Sequence, residues 1–138
     1  MARFDTSGFD DIVKQIVDLG EAADDAADKM LLAGATVVKE AWQEAAEHYG
    51  HKDTGDMINS IGFPKKTKKA DGVRSIEIYP QGKDRKGVRN AEKAFVLNFG
   101  TSSIKGTRFV DRAETKSAEE VERVMRETWE KELRKKGL

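Results

Sequence analysis

The chain has 138 residues, 36% of them charged, and its 25 basic and 25 acidic residues leave no net charge. This length fits one domain that buries roughly two-thirds of the surface exposed by its unfolded chain. The charge balance argues against a protein that coats DNA, since such proteins are usually strongly basic. The chain has no cysteine, which excludes disulfides and thiolate metal sites.

No apolar run approaches the ~20 residues that a membrane span requires. The first residues, MARFDTSGFDD, lack the basic and then apolar layout of a signal peptide. We therefore expect a protein made in the cytoplasm, with no membrane contact. We expect a single domain over 1–138, with an ordered core at about 9–135 and flexible polar loops at about 64–72 and 81–93.

Two helices are predicted before residue 50. Apolar residues at helical spacing in FDDIVKQIVDLG predict an N-terminal helix at 9–20. An alanine-rich pattern at 21–49 predicts a long helix that Gly50 ends. It would span about 44 Å, so either Gly34 bends it or part of it packs on a neighbouring subunit. Its apolar stripe comprises Ala23, Ala27, Met30, Val37, Ala41 and Ala45, with Val38 and Trp42 beside it.

The middle of the chain predicts a small antiparallel sheet. DTGDMINSIGF indicates a helical turn, capped by Thr54, that leads into a strand at Ile61. The dipeptide Asp71-Gly72 is a strong hairpin signal. The alternating run VRSIEIYP predicts the following strand. Its two faces are Ile76 and Ile78 on one side, and Ser75, Glu77 and Tyr79 on the other.

Two more elements complete the predicted fold. AFVLNF predicts a half-buried strand with Phe95, Leu97 and Phe99 on its inner face, after a stretch, 81–93, too hydrophilic for the core. A C-terminal amphipathic helix follows, with a capping box of Ser117 and Glu120. The fold class is α+β: an N-terminal helix and a long Ala-rich helix, a small antiparallel sheet of about three to four strands, and a C-terminal helix. The apolar face of the last helix comprises Val121, Val124, Met125, Thr128, Trp129 and Leu133.

The stretch FGTSSIKGT, residues 99–107, resembles a phosphate-binding loop but departs from its pattern. A P-loop needs Gly-x-x-x-x-Gly-Lys-Ser/Thr. Counted from Gly100, the lysine and the second glycine are transposed, because Lys105 precedes Gly106. We therefore expect a surface loop rather than a nucleotide site.

No catalytic or metal-binding set stands out. His48 and His51 could ligate zinc with Asp53 or Glu47, but Gly50 breaks the helix between them, so we expect solvated histidines. The paired carboxylates lie on predicted polar helix faces, and Ser60, Ser102 and Ser103 have no evident imidazole partner. We expect no catalytic residues, no cofactor and no metal, and no enzyme.

Two basic loops leave three interpretations open. A solvated loop is the simplest; phosphate contact without sequence readout is the second, since no aromatic residue is interleaved for base stacking. A clasp on an acidic neighbour is the third. The first loop contains Lys65, Lys66, Lys68 and Lys69, and the second contains Lys83, Arg85, Lys86 and Arg89.

Three short motifs resemble the neck protein family of long-tailed bacteriophages, the head–tail joining or tail-completion proteins. TGDMINSI at 54–61 resembles the family's TG-x-L-x-x-SI, AFVLNFGTS at 94–102 its A-x-(Y/F)-V-x-F-G-T, and RFVDRA at 108–113 its R-P-F-x-x-P-A. The motifs agree in order and spacing over about residues 20–135. The candidate family residues are Thr54, Gly55, Ser60, Ile61, Phe99, Gly100, Thr101, Arg108 and Phe109.

The sequence departs from the family pattern at its prolines. Arg108 and Arg112 stand where the third block has proline, and His51-Lys52-Asp53 replaces the proline before Thr-Gly. These departures affect the start of the last helix more than the fold. The resemblance implies that FGTSSIKGT connects a third strand to the last helix, with Gly100 in a tight turn, and that Lys105 faces solvent or a neighbour.

The resemblance also implies a function. It indicates a virion structural protein, made in the host cytoplasm, that forms a ring, by analogy a hexamer, around the DNA channel of the neck. Its partners would be copies of itself, a head-completion or portal-side protein, and a tail-tube or tail-terminator protein, with non-specific DNA contact in the lumen. The alternative is a small nucleic-acid-binding module that uses basic loops 65–69 and 83–89.

Overall fold

The computed structural model describes residues 2–5 and 20–137, and the helix predicted at 9–20 lies outside the described residues except at Gly20. Four helices and four short strands lie in the described part. They confirm the predicted α+β class, with its long helix, antiparallel sheet and C-terminal helix. In chain order they are β1 (Ala2–Asp5), α1 (Glu21–His48), α2 (Asp56–Ser60), β2 (Ile61–Gly62), β3 (Lys68–Ala70), β4 (Val73–Pro80), α3 (Asn90–Phe99) and α4 (Phe109–Lys135).

The long helix α1 ends where the sequence predicts. Gly50 has φ 73°, and its N–H donates to the Glu47 carbonyl at 3.0 Å. The next N–H, of His51, donates to the Ala46 carbonyl at 2.8 Å. This pair of bonds forms a Schellman motif, which satisfies two helix-end carbonyls and requires the left-handed backbone that glycine adopts freely.

Helices α1 and α4 pack antiparallel. Near one end Lys29 Nζ lies 3.2 Å from Glu132 Oε2, and near the other the Arg112 guanidinium lies 5.6 Å from the centre of the Tyr49 ring. Between them, a Cβ on Gly34 would lie 2.8 Å from the Met125 sulfur, so glycine lets the helices approach closely. The 27 residues of α4 give α1 a long partner within the same chain, which the sequence analysis did not foresee.

The buried face of α1 is rotated from the predicted stripe. Ala23, Ala27 and Met30 are fully buried as predicted, but Val37, Ala41 and Ala45 are only half-buried. Toward the C-terminal end of α1 the helix instead buries the residues that share the next face. The fully or almost fully buried residues of that face are Leu31, Ala35, Val38, Trp42 and Ala46.

The sheet is organised around β4. Strands β1, β2 and β3 all pair with it antiparallel, and Ser75 faces Asp5 of β1 on one edge and Lys68 of β3 on the other. The predicted hairpin is confirmed, since Asp71 and Gly72 connect β3 and β4 with φ values of 52° and 77°. Ile76 and Ile78 are buried as predicted, whereas Ser75, predicted on the outer face, is also buried. A central strand flanked on both edges covers more of its backbone and small side chains than an edge strand does.

The predicted strand AFVLNF is wrong: these residues belong to helix α3, which begins in the polar stretch at Asn90. The buried positions are Asn90, Ala94 and Asn98, at helical spacing, while Phe95 and Phe99 are exposed. Phe95 and Phe99 are four residues apart, and residues at this spacing lie on one face of a helix and also on one face of a strand. Their spacing alone therefore does not distinguish the two structures. FGTSSIKGT therefore connects two helices, not a strand and a helix.

The predicted start of the last helix is also wrong. Helix α4 begins at Phe109, eight residues before Ser117, after Arg108 in a left-handed conformation with φ 57°. Ser117 lies inside the helix, where its hydroxyl donates to the Ala113 carbonyl at 2.7 Å. A serine that bonds back to the preceding turn resembles a cap in sequence alone. The predicted apolar face is confirmed, with Val121, Met125 and Trp129 buried and Val124, Thr128 and Leu133 half-buried.

Candidate assembly surfaces

The Thr-Gly-Asp segment before α2 is fixed by an ion pair with the second basic loop. Thr54 was predicted to cap α2, but the N-cap is Gly55, with φ 91°. The Thr54 hydroxyl accepts the N–H of Asp56, the first residue of the helix, at 3.3 Å. Both Asp56 carboxylate oxygens receive bonds from the Arg85 guanidinium, at 2.9 and 2.8 Å, and one also accepts the Arg85 N–H at 3.0 Å. These hydrogen bonds hold the pKa of the Asp56 carboxyl well below its usual range. Arg85 thus has a partner within its own chain.

The loop before α3 is organised by a buried carboxylate. Asp84 Oδ1 accepts the N–H groups of Lys86 and Val88 at 2.9 and 2.8 Å, and the other oxygen pairs with Lys93. The bond from Lys93, followed by that from the Val88 N–H, lowers the pKa of Asp84. Asp84 and Asn90 are buried, so the stretch predicted to be too hydrophilic for the core contributes two residues to it.

The junction between α3 and α4 is a compact turn. Asn98 is 3% exposed, and its Oδ1 accepts the Val110 N–H at 3.0 Å, which caps the first turn of α4. Gly100 has φ 83°, and a Cβ there would lie 2.5 Å from the Gly106 nitrogen. A Cβ on Gly106 would lie 2.5 Å from the Phe99 carbonyl carbon. The two glycines therefore let two backbone segments touch.

An apolar ridge projects from α3 and the turns beside it. The Phe95 and Phe99 rings lie 4.8 Å apart, and the Arg108 guanidinium lies 4.8 Å from the centre of the Phe99 ring. Phe95 is 63% exposed, the largest value among the big apolar residues of the described chain. We call this surface the α3 ridge. We define it by the four large apolar residues that are exposed in the described chain, of which Phe95 and Phe99 are in contact and Val88 also lines the cleft described below: Val88, Phe95, Phe99 and Ile104.

A groove of about 520 Å³ runs between α1 and α4. Its floor includes the half-buried Val37, Ala41 and Ala45. Glu40 and Glu44 lie along its α1 side, one helical turn apart. We call this surface the α1/α4 groove. Its other lining residues are His48, Tyr49, Arg112, Ala113, Lys116, Ser117 and Glu120.

A second cleft, of about 630 Å³, lies between the Thr-Gly-Asp segment and α3. Met57, Val96 and Leu97 contribute apolar surface to it, and His51 lies at its edge. His51 was predicted to be solvated, but it is partly buried, and its Nε2 lies 2.7 Å from the Thr107 hydroxyl. Burial lowers the pKa of His51. Its ring contacts Phe109 at 5.1 Å between centroids, so this histidine joins α1 to the start of α4.

The first basic loop forms a different surface. Its four lysines are exposed: two lie in the turn before β3 and two on β3. The nearby Thr67 hydroxyl donates to Asp28 of α1, and Arg74 pairs with Asp24 and Asp28 at 2.8 Å. The lysine side chains have no ion pair with the described residues. They are Lys65, Lys66, Lys68 and Lys69.

The structure separates the predicted family residues into a core set and a surface set. Ile61 and Phe109 are buried in the core, and the Ser60 hydroxyl donates to the Met57 carbonyl at 2.6 Å. Phe99 and Arg108 lie together at the surface. Thr101 shapes its loop, because its hydroxyl accepts the N–H groups of Ser103 and Ile104 at 3.2 and 3.1 Å.

Sequence reasoning missed the outward direction of Phe95 and the cap made by Asn98. The spacing of Asn90, Ala94 and Asn98 is compatible with a helix, but the alternating aromatic residues fit a strand as well, and the cap depends on a contact between two helices. Within residues 2–5 and 20–137, no group of three or more histidine, aspartate or glutamate side chains is placed to hold a metal ion. No helix of that part is long and apolar enough to cross a bilayer.

Comparison with known proteins identifies the family. Residues 10–100 match the family described as "Bacteriophage HK97-gp10, putative tail-component". The match covers more than half of the 138 residues, and the chain belongs to this family of phage tail components. No match is found among curated proteins or among solved structures. The membership confirms the family resemblance and makes the chain a structural component of a phage tail.

Proposed function

We propose that this chain is the head–tail joining, or tail-completion, protein of a phage or prophage, and that it forms a ring around the DNA channel of the neck. In this role it makes and breaks no covalent bond; it acts by repeated contact between subunits and with the assemblies on either side. The observation that carries the proposal is the family match over residues 10–100, which includes the motifs at 54–61 and most of the block at 94–102.

Two physical features support an assembly role. Large apolar side chains stand at the surface of α3, and soluble monomers rarely leave contiguous apolar patches uncovered. The turn below them is built rigidly, since Gly100 and Gly106 touch and Asn98 caps α4. A rigid, apolar surface loses little conformational entropy on docking. We propose six copies in the ring, with a head-completion or portal-side protein on one face and a tail-tube or tail-terminator protein on the other.

Deleting the gene from the phage tests this function. We expect complete heads and separate tails to accumulate without joining. A plasmid copy of the gene should restore joined particles in electron micrographs. A deletion mutant that joins its tails and infects normally would contradict the proposal.

Contact with DNA in the lumen is a further part of the proposal, and the first basic loop is its candidate surface. Lys65, Lys66, Lys68 and Lys69 are exposed and have no ion pair with the described residues, whereas Arg85 is held by Asp56. We expect weak binding to duplex DNA that falls steeply as salt rises. Replacing the four lysines with glutamine should abolish it, and Arg85→Gln serves as the control. An unchanged affinity of the lysine variant would end this idea, and with it the alternative of a nucleic-acid-binding module based on this loop.

A further inference from the structure

Two apolar surfaces stand exposed or half-exposed among residues 2–5 and 20–137, and both include side chains that the sequence predicts to be inside the fold. One is the α3 ridge, where Phe95 is 63% and Phe99 47% exposed. The other is the floor of the α1/α4 groove, where Val37, Ala41 and Ala45 continue the apolar stripe of α1 but are only half-buried.

The charges on the α1 side of the groove are opposite to those beside the ridge, whereas the α4 side carries Arg112, Lys116 and Glu120. Lys105 follows the ridge residue Ile104, is exposed and has no ion pair with the described residues. Arg108 stacks on Phe99 and pairs with Asp111 at 3.4 Å, so Lys105 is the unpaired cation beside the ridge among the described residues. On the α1 side of the groove, Glu40 and Glu44 are exposed and likewise have no ion pair with the described residues. Unpaired charges of opposite sign fix orientation and register when two surfaces dock.

We propose that the α3 ridge of one copy docks in the α1/α4 groove of the next copy. Phe95 and Phe99 cover the half-buried floor, and Lys105 approaches Glu40 and Glu44. Phenylalanine and arginine are among the residue types enriched in protein–protein interfaces relative to the rest of the surface. This inference rests on the proposed function, because it names the surfaces by which the subunits of the ring would meet.

A contact of this kind joins two different surfaces, so it repeats from copy to copy. Such a heterologous contact closes into a ring when the rotation per subunit divides a full turn. A contact of ridge with ridge would instead stop at a two-fold dimer. The two geometries therefore predict different crosslinked products when cysteines are placed on both surfaces of one chain or on one surface of each of two chains.

Cysteine crosslinking in assembled particles tests the contact, since the natural chain has no cysteine. We introduce Phe95→Cys and Ala41→Cys together and treat purified particles with a short bis-maleimide. We expect a ladder of crosslinked oligomers from the double variant. A mixture of the two single variants should give dimers and nothing larger. The control pair is Phe95→Cys with Thr36→Cys, because Thr36 is exposed on α1 outside the groove lining.

The possible outcomes separate the interface from the function. If particles contain the chain but the double variant crosslinks no better than the control pair, the interface is wrong and the neck role stands. If Phe95→Cys alone gives dimers, ridge meets ridge and the proposal is overturned. If particles lack the chain, both the interface and the neck role are wrong.

Exchanging the charges of Lys105 and Glu44 tests whether they pair across the interface, without the use of cysteine variants. We expect Lys105→Glu or Glu44→Lys alone to lower the yield of joined particles about tenfold, since juxtaposed like charges are strongly unfavourable at an interface. The double variant should recover most of the loss. Lys131→Glu, an exposed charge reversal on α4 outside the groove lining, is the control. Equal yields from wild type and both single variants, or no recovery in the double variant, would contradict the pairing.

Discussion

Gly50 and Gly100 both have a positive φ but have different surroundings, and this difference can be measured. Gly100 has φ 83° and ψ 180°, a region that essentially only glycine adopts, and its missing Cβ leaves room for backbone atoms at 2.5 Å. Gly50 has φ 73°, but a Cβ there would meet nothing within 4 Å. Gly100, in the stretch FGTSSIKGT, is therefore required for packing as well as for the turn.

We expect Gly50→Ala to cost about 1–2 kcal/mol in the free energy of unfolding, the usual cost of a left-handed alanine. Gly100→Ala should cost a further ~1–3 kcal/mol, because the added carbon overlaps backbone that cannot rotate away. Urea unfolding followed by circular dichroism measures both. Equal losses in the two variants would show that the contact between Gly100 and Gly106 does not matter.

The Asp56–Arg85 pair predicts a pH-dependent stability. The pKa of Asp56 is lower in the folded chain than the ordinary value of ~3.9, so its contribution is complete above that value and is lost as pH falls further. We expect Asp56→Asn to lower Tm at pH 7, and the difference from wild type to shrink below about pH 4. Arg85→Gln should behave in the same way. A difference that stays constant across this range would contradict the assignment.

Among the elements, the long helices and the central hairpin could be predicted from local signals. Helix α1 ends at two hydrogen bonds made by Gly50 and the residue after it. The hairpin turn depends on the left-handed backbone of Asp71 and Gly72. Neither depends on distant contacts. The same holds for the apolar face of α4, whose spacing is unambiguous over several turns.

Helix α3 and the start of α4 could not be predicted because tertiary contacts decide them. Asn98 lies twelve residues from Val110 and caps α4 from another helix, so no local signal marks Phe109 as the start. Within α3, the alternating aromatic residues fit a strand as well as a helix. The ridge was missed for the same reason, since a strand would have turned Phe95 inward.

The cap between α3 and α4 makes a prediction of its own. We expect Asn98→Ala to cost about 1–3 kcal/mol in the free energy of unfolding, because it leaves the Val110 N–H buried without an acceptor. Asn98→Asp keeps an oxygen there and places negative charge at a helix N-terminus, so it should recover part of the loss. Urea unfolding compares them. An alanine variant as stable as wild type would show that the cap contributes nothing.

At the scale of the whole molecule, the packed side and the uncovered side have separate roles. Helices α1 and α4 pack closely at Gly34 and form the main helix pair of the fold, which we call the frame. In our proposal the α3 ridge and the α1/α4 groove, which are exposed among the described residues, serve contacts with other chains. The Thr-Gly-Asp segment adds to the frame, because Arg85 fastens it to the loop that leads into α3.

A cryo-electron microscopy map of the intact virion tests the central claim most directly. We expect a ring of this fold between the head and the tail, surrounding the DNA channel, with its copies related by rotation about the tail axis. Finding the chain at another place in the particle, such as the distal tip, or finding none of it in finished virions, would contradict the account.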